Sequence, residues 1–298
     1  MYNSVADNNK ILKQLRFYSF YRLIIRVWAN LLLPIYFKYR KKVMAEVKRD
    51  DRTIISLTSF PARINKVWLV IECLLRQEVM ASKIILWLSR DQFPTIDRLP
   101  INLQSQIKRG LEIRLVDGDI RSHKKYFYVF KEYTEQNIIT VDDDMYYPED
   151  FVKTLLESNA RFPRSIISCY ARKLSRKDGR IMPYNVWPRA FEDESSIEDL
   201  FFGSGGGTLF PAKSLYQDLL NKDLFLKLAP AADDIWLNAM SRLNNTSIRY
   251  ISFIRGYIPI AILDNETLAS KNLDQNLNDL QIENVNDYYF NFGKKVFM

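Results

Sequence analysis

Three consecutive aspartates, Asp142, Asp143 and Asp144, follow a short apolar run in NIITVDDDMYYPED, residues 137–150. Adjacent carboxylates repel one another, and capping a helix needs only one of them. A shared hard divalent cation removes the repulsion. Mg²⁺ or Mn²⁺ held by one or two carboxylates completes its shell with water and substrate phosphates. Should the preceding strand continue through the triplet, its side chains alternate, so that Asp142 and Asp144 converge on a metal while Asp143 points away. The plainer alternative is an acidic turn that caps a helix starting near Pro148.

A second acidic pair, Asp233–Asp234, lies in APAADDIWLNAMSRL. Pro230 precedes it, and Trp236, Ala239, Met240 and Leu243 have the spacing of a buried helical stripe. Both carboxylates fall in the first turn, where the helix dipole favours negative charge. One suffices as a cap. The other can deprotonate a hydroxyl as general base or stabilise a positively charged sugar transition state. The chemistry is assigned to Asp234 and positioning to Asp233. Between the two acidic clusters, FGSGGGTLF contains Gly205, Gly206 and Gly207. Such a run lets backbone N–H groups approach a bound ligand, or is a bulge without one. It has neither the GxGxxG spacing of a dinucleotide site nor the Lys-Ser/Thr of a P-loop.

Ser122, His123, Lys124 and Lys125 lie upstream of the triplet. The lysines suit a diphosphate, whose charge builds up as it leaves; one of the two is expected on a solvated face. His123, the only histidine, is expected to touch the nucleotide, to stand one residue behind it, or to lie on the surface, and not to be the base. Tyr184 and Trp187, in MPYNVWP, are candidates for stacking on a ligand ring or for ordinary core packing.

Elements must hold these residues in place. Apolar, β-branched runs occur at 53–57, 83–89, 111–116, 137–141 and 165–170, and segments of helical spacing occupy 65–77, 126–136 and 150–162. Strands alternating with helices predict an α/β fold with a mostly parallel sheet and helices on both faces. Ligands then bind beyond the carboxyl ends of the strands, where the triplet sits. No internal repeat or low-complexity stretch interrupts the pattern.

With 298 residues, 47% hydrophobic and 26% charged, the chain can bury a sizeable core. Cys73 and Cys169 are far apart, so no disulfide framework is expected and a reducing compartment fits. No small-residue cleavage site follows a short apolar core, and no secretory signal is expected. Residues 1–50 hold eleven Lys/Arg against three Asp/Glu and so carry the whole net charge of +8. A nucleic-acid enzyme would place that charge around its site, so no nucleic-acid partner is expected.

In the arm, Arg22, Arg26 and Asn30 recur every four residues, with Phe20, Leu23, Ile24, Val27, Trp28 and Leu31 around the rest. On a helix the polar residues form one narrow stripe. Two arginines within the apolar stretch argue against a simple spanning helix. Lys38, Arg40, Lys41 and Lys42 follow. An amphipathic helix lying on an anionic membrane surface through residues 10–42 fits best; packing on the chain's own domain or on a subunit is the alternative. The expected organisation is an arm over 1–50, a catalytic domain over 51–260 and a helical or irregular tail over 261–298 that packs on it.

SLTSFPARI, LWLSRDQFP, SHKKYFYVFKEY, IITVDDDMYYPEDF, FGSGGGTLFP and APAADDIWLNAM occur in this order between about residues 53 and 245. Together they resemble bacterial nucleotide-sugar glycosyltransferases of the GT-A (Rossmann-like) fold associated with capsule and surface-polysaccharide synthesis. The ADDIWLNAM block is also similar to part of the exostosin-like transferases. The resemblance implies that the loop carrying Thr58, Ser59 and Arg63 holds the nucleotide base and ribose; a turn around Pro61 with a surface arginine is the alternative. It implies a nucleoside-diphosphate-sugar donor, contacts to it from Asp142 and Asp143, a divalent metal at Asp142 and Asp144, and a glycan or lipid-linked acceptor at the cytoplasmic membrane face. A nucleotidyl- or sugar-phosphate transferase with the same aspartates, and a non-catalytic membrane adaptor that keeps the fold, are the other readings.

Overall fold

The computed structural model describes residues 16–39, 48–190, 199–252, 258–261 and 277–297. Its centre is a seven-stranded sheet. The strands are β1 (Lys48–Thr58), β2 (Val79–Ser89), β3 (Leu111–Val116), β4 (Asn137–Val141), β6 (Ile166–Ser168), β11 (Gly206–Phe210) and β12 (Ile248–Tyr250), in the order β12-β6-β11-β4-β1-β2-β3. All neighbours are parallel except β11, which runs antiparallel between β4 and β6. Three small antiparallel pairs lie beside it: β5 (Met145–Tyr146) with β13 (Ile258–Pro259), β7 (Ala171–Lys173) with β10 (Leu200–Phe202), and β8 (Arg176–Lys177) with β9 (Arg180–Ile181).

The five expected strands are all present, and the reason is burial on both faces. Ile54, Ile55 and Leu57 of β1, Ile84 to Leu88 of β2 and Ile138, Ile139 and Val141 of β4 are enclosed, as continuous apolar runs in parallel sheets are. One face packs against α2 (Ile64–Leu74) and α5 (Phe151–Arg161), the other against α4 (Lys124–Glu132) and α7 (Asp233–Leu243). The remaining helices are α1 (Arg16–Tyr39), α3 (Ile101–Ile107), α6 (Lys222–Leu228) and α8 (Leu277–Phe290). In α8, Ile282, Val285 and Tyr289 enter the same core as α6 and α7, followed by Val296 and Phe297.

The arm is one helix with Pro34 inside it. Of its polar stripe, Arg22 and Arg26 are exposed and Asn30 is half-buried against the domain. Asn30 Nδ2 donates to the Pro259 carbonyl at 3.0 Å, and its Oδ1 accepts from Ala261 N–H at 2.7 Å. Near the far end Phe37 is buried in the core and Arg76 lies over the rings of Tyr36 and Phe37. The apolar face is outward: Leu23, Val27, Trp28, Leu31 and Ile35 are exposed, Trp28 by 56%. Phe20–Tyr39 is long and apolar enough to cross a membrane by length and composition alone. Residues 10–15 and the basic cluster Arg40, Lys41 and Lys42 lie outside the described residues.

Candidate active site

The sheet brings both acidic clusters and the glycine run to one cavity of about 980 Å³. β4 ends at Val141, Asp142 follows it, and Asp143 and Asp144 form a turn. The strand does not continue, so its alternation does not sort the three carboxylates. The loop after β1 sorts them instead. Ser59 Oγ donates to Asp143 Oδ2 at 2.6 Å, and Arg63 Nη1 reaches Asp143 Oδ1 at 2.8 Å and Asp144 Oδ2 at 2.9 Å. Asp143 is buried and pinned to the wall. Asp142 and Asp144 keep more exposure, with side chains 44% and 28% accessible.

Asp142 is fixed from the other side. Its N–H donates to the Gly205 carbonyl at 2.8 Å, and the Tyr147 hydroxyl donates to that same carbonyl at 2.8 Å. Lys125 Nζ lies 2.9 Å from Asp142 Oδ1 and 3.2 Å from Asp233 Oδ2. One buried ammonium therefore ties the triplet to the second acidic pair. Burial would favour the neutral amine, but the two carboxylates raise its pKa and keep it charged.

Asp233 and Asp234 open α7 after Ala232, and neither caps it with a side-chain bond at that position. Burial alone would raise the Asp233 carboxyl, but Lys125, His123 and the Ser204 hydroxyl hold it below its ordinary value. Asp234 is pushed up to about 7, by burial and by the charge of Asp233 beside it. Two neighbouring carboxylates thus differ in protonation near neutrality, the arrangement that separates an ionised positioning group from a proton acceptor.

The other candidates separate plainly. Thr58, Ser59, Arg63, Lys124, Lys125, Gly205, Gly206 and Tyr184 line the cavity. Thr58 Oγ1 donates to the Trp87 carbonyl at 2.8 Å. Neither lysine is on a solvated face: both are buried, and Lys124 pairs with Asp119. His123 is neither on the surface nor in the cavity lining. It is enclosed, stacked on Phe225 at 4.4 Å, with its ring nitrogens on Tyr126 Oη and the Ala229 carbonyl. Burial pushes it down to about 4, and it stands behind Asp233 as a neutral ring. Trp187 is core, with Nε1 donating to the Met182 carbonyl at 2.8 Å, and cannot stack on a sugar. Gly207 has φ +89° and abuts Phe151, outside the lining.

Sequence reasoning missed Arg22, Tyr170, Arg172, Arg189 and Ser204 in the wall. Ser204 had a signal, a hydroxyl inside the glycine block. Arg22 belongs to the arm's polar stripe and Tyr170 ends a strand run, while Arg172 and Arg189 come from segments without a motif; the fold alone gathers the four.

Among the described residues no three His, Cys, Asp or Glu side chains form a ligand set. A metal here would take one or two carboxylates, the number used when phosphates supply the remaining ligands. Asp142 and Asp144 fit that donor set. Asp144 is pushed up to about 6 by burial and by the Asp142 charge, an excess of negative charge that a cation relieves.

No protein-family model and no curated protein sequence matches the chain. Among solved structures it is similar to a mannosyltransferase from Pyrobaculum calidifontis in complex with GDP-Man and Mn²⁺, at 12% identity and TM-score 0.46, over 86% of this chain and 72% of that one. It is similar to S. aureus TarS in complex with UDP-GlcNAc at 15% identity and TM-score 0.44, over 75% of this chain and 61% of that one. A 4-diphosphocytidyl-2C-methyl-D-erythritol synthase from Anaerococcus prevotii matches at 14% identity and TM-score 0.44, over 76% of this chain and 99% of that one. This chain spans about three fifths of the TarS chain.

Proposed function

We propose that the chain is a metal-dependent GT-A glycosyltransferase that moves a hexose from a nucleoside-diphosphate sugar to a hydroxyl of a glycan or lipid-linked acceptor in surface-polysaccharide synthesis. The observation that carries this reading is the Lys125 bridge, which sets the triplet and the Asp233–Asp234 pair face to face in one cavity. Asp142 and Asp144 are the residues that would hold Mn²⁺ or Mg²⁺, which when bound supplies Lewis-acid stabilisation of the leaving diphosphate.

The chain's own groups do the rest. Asp143 anchors the β1 loop through Ser59 and Arg63, so the nucleotide-side wall and the triplet move as one unit. Gly205 and Gly206 bring backbone close to the donor sugar. Lys125 supplies positive charge beside the departing diphosphate. Asp234 takes the proton from the acceptor hydroxyl. The acceptor oxygen forms its bond to the anomeric carbon, the bond from that carbon to the diphosphate oxygen breaks, and its electron pair leaves with the nucleoside diphosphate.

The arm locates this chemistry. Its outward apolar face and basic residues suit the cytoplasmic face of an anionic membrane. Arg22, on that helix, lines the catalytic cavity, which brings the membrane-facing element to the edge of the site. Transfer of phosphorus by the same carboxylates gives other products. Incubating the full-length protein with a panel of nucleotide sugars and Mn²⁺ should release a free nucleoside diphosphate, suppressed by chelator. Release of pyrophosphate or a nucleoside monophosphate, or no turnover across the panel, overturns the reading.

A further inference from the structure

The wall that carries Tyr170, Arg172, Tyr184 and Arg189 has an excess of positive charge. The cations in the cavity lining are Arg22, Arg63, Arg121, Lys124, Lys125, Arg172 and Arg189, and Arg63, Lys124 and Lys125 are matched by aspartates. Arg172 and Arg189 have no carboxylate partner among the described residues. A backbone bridge pairs the two positions, so their side chains start from neighbouring points.

Each guanidinium is seated on an aromatic ring. Arg172 Cζ lies 5.2 Å from the Tyr184 ring centre, and Arg189 Cζ lies 5.1 Å from that of Tyr170. Arg172 Nη1 donates to the Trp187 carbonyl at 2.8 Å, while its Nε is buried without a hydrogen-bond partner. Tyr170 is in turn seated on Gly203, where a Cβ would stand 2.6 Å from the ring. Stacking holds a guanidinium plane: at the exposed Arg189 it leaves the N–H edge for an oxyanion, which a guanidinium binds in a two-pronged manner, while Arg172, fixed by the Trp187 carbonyl, adds its charge beside it. Tyr184 also feels the Asp234 carboxylate, so this wall adjoins the candidate base.

We propose that Arg172 and Arg189 form an acceptor subsite that reads an anion, and that the acceptor therefore carries a phosphate or carboxylate near its reacting hydroxyl. The purpose of this subsite rests on the transfer reading above; the anion site itself does not. A neutral acceptor would leave the charge of both guanidinium groups without a counter-charge, which disfavours it.

Calorimetric titration of the full-length protein with glucose 6-phosphate, glucuronate and methyl glucoside tests this. At least one charged ligand should bind about tenfold or more tightly than the neutral one, and the stronger of the two identifies phosphate or carboxylate. Because Lys125 can also attract a phosphate, the variants decide. Arg172→Gln and Arg189→Gln should each bring the charged ligand down towards the neutral one, and Arg189→Lys should restore part of the difference. Should Arg172→Gln unfold for want of its Trp187 bond, the exposed Arg189 carries the test. Equal binding of all three ligands, or charged binding indifferent to both variants, overturns the subsite. Hydrolysis of nucleotide sugars by the unaltered protein is measured in parallel. Hydrolysis with variant-insensitive anion binding removes the subsite alone; variant-sensitive anion binding with no hydrolysis removes the transferase reading alone.

Discussion

The Asp142 carboxylate occupies the space in which a side chain at Gly205 would stand: a Cβ there would lie 1.6 Å from Asp142 Oδ1. The glycine is required by the aspartate lying against it, and β11 can pass β4 at this point only because of that. Gly205→Ala should rotate Asp142 away from Lys125 and from the cavity. We expect turnover to fall by about 10²-fold or more, the scale of losing a group aimed at developing charge. The carboxylate can swing into the cavity, so the thermal midpoint should change little. Parallel turnover and thermal-melt measurements check this, and near-normal turnover counts against a role for Asp142.

Asp234 should impose an ascending limb on the pH profile. With its carboxyl pushed up to about 7, the ionised base accumulates as pH rises through that value, and turnover rises with it. Asp234→Asn should remove the limb and lower turnover by roughly 10²-fold or more, while nucleotide affinity hardly changes. Stability runs the other way. A folded-state pKa above the unfolded one means that stability is lost as pH rises through the folded value. The variant should therefore gain melting temperature over the unaltered protein most clearly above pH 7, with the gain shrinking towards pH 4.

The three triplet residues should separate by phenotype. Asp144→Ala and Asp142→Ala should abolish turnover and keep the fold, because Arg63 retains Asp143 and Lys125 retains Asp233. Asp143→Ala should also cost stability, about 1–3 kcal/mol, because Ser59 and Arg63 lose their buried acceptor. Chemical denaturation of the three variants ranks them. Activity of either outer variant that persists in chelator would sink the metal assignment.

The arm should govern location. Removal of residues 1–47 should abolish binding to vesicles that contain anionic lipid, while the remaining domain still hydrolyses the donor. In the full chain, salt should weaken vesicle binding through its screened basic residues and leave a remainder from the exposed apolar face. Indifference of the full chain to such vesicles in a flotation assay removes the membrane role.

Asn30→Ala should leave vesicle binding in place but free the helix from its domain. Limited proteolysis after residue 39 should then proceed faster than in the unaltered protein.

The sheet was legible because its strands are buried on both faces and read as unbroken apolar runs. β11 was not, since it starts in glycines, which disfavour strands on propensity, and its role is to give Asp142 room. The two acidic clusters were legible as clusters, but not the bridge between them: Lys125 stands 17 positions from Asp142 and lies on another element. The triplet's internal division has another cause than strand alternation. Alternation requires a strand, and the strand stops at Val141, after which Ser59 and Arg63 decide which carboxylate is held. In the arm the period was legible and the seat of Asn30 was not, because its partners come from the backbone of residues 259 and 261.

Those partners reach further than the arm. Ile260 N–H donates to the Asp144 carbonyl at 2.7 Å, and β13 pairs with Met145 and Tyr146 directly after the triplet. From Asn30 to Asp144 there is a single layer of extended backbone. The helix is thus a strut braced against the backbone of the acidic turn, tied to residues 259 and 261 by two hydrogen bonds and, through Ile260, to Asp144 by a third.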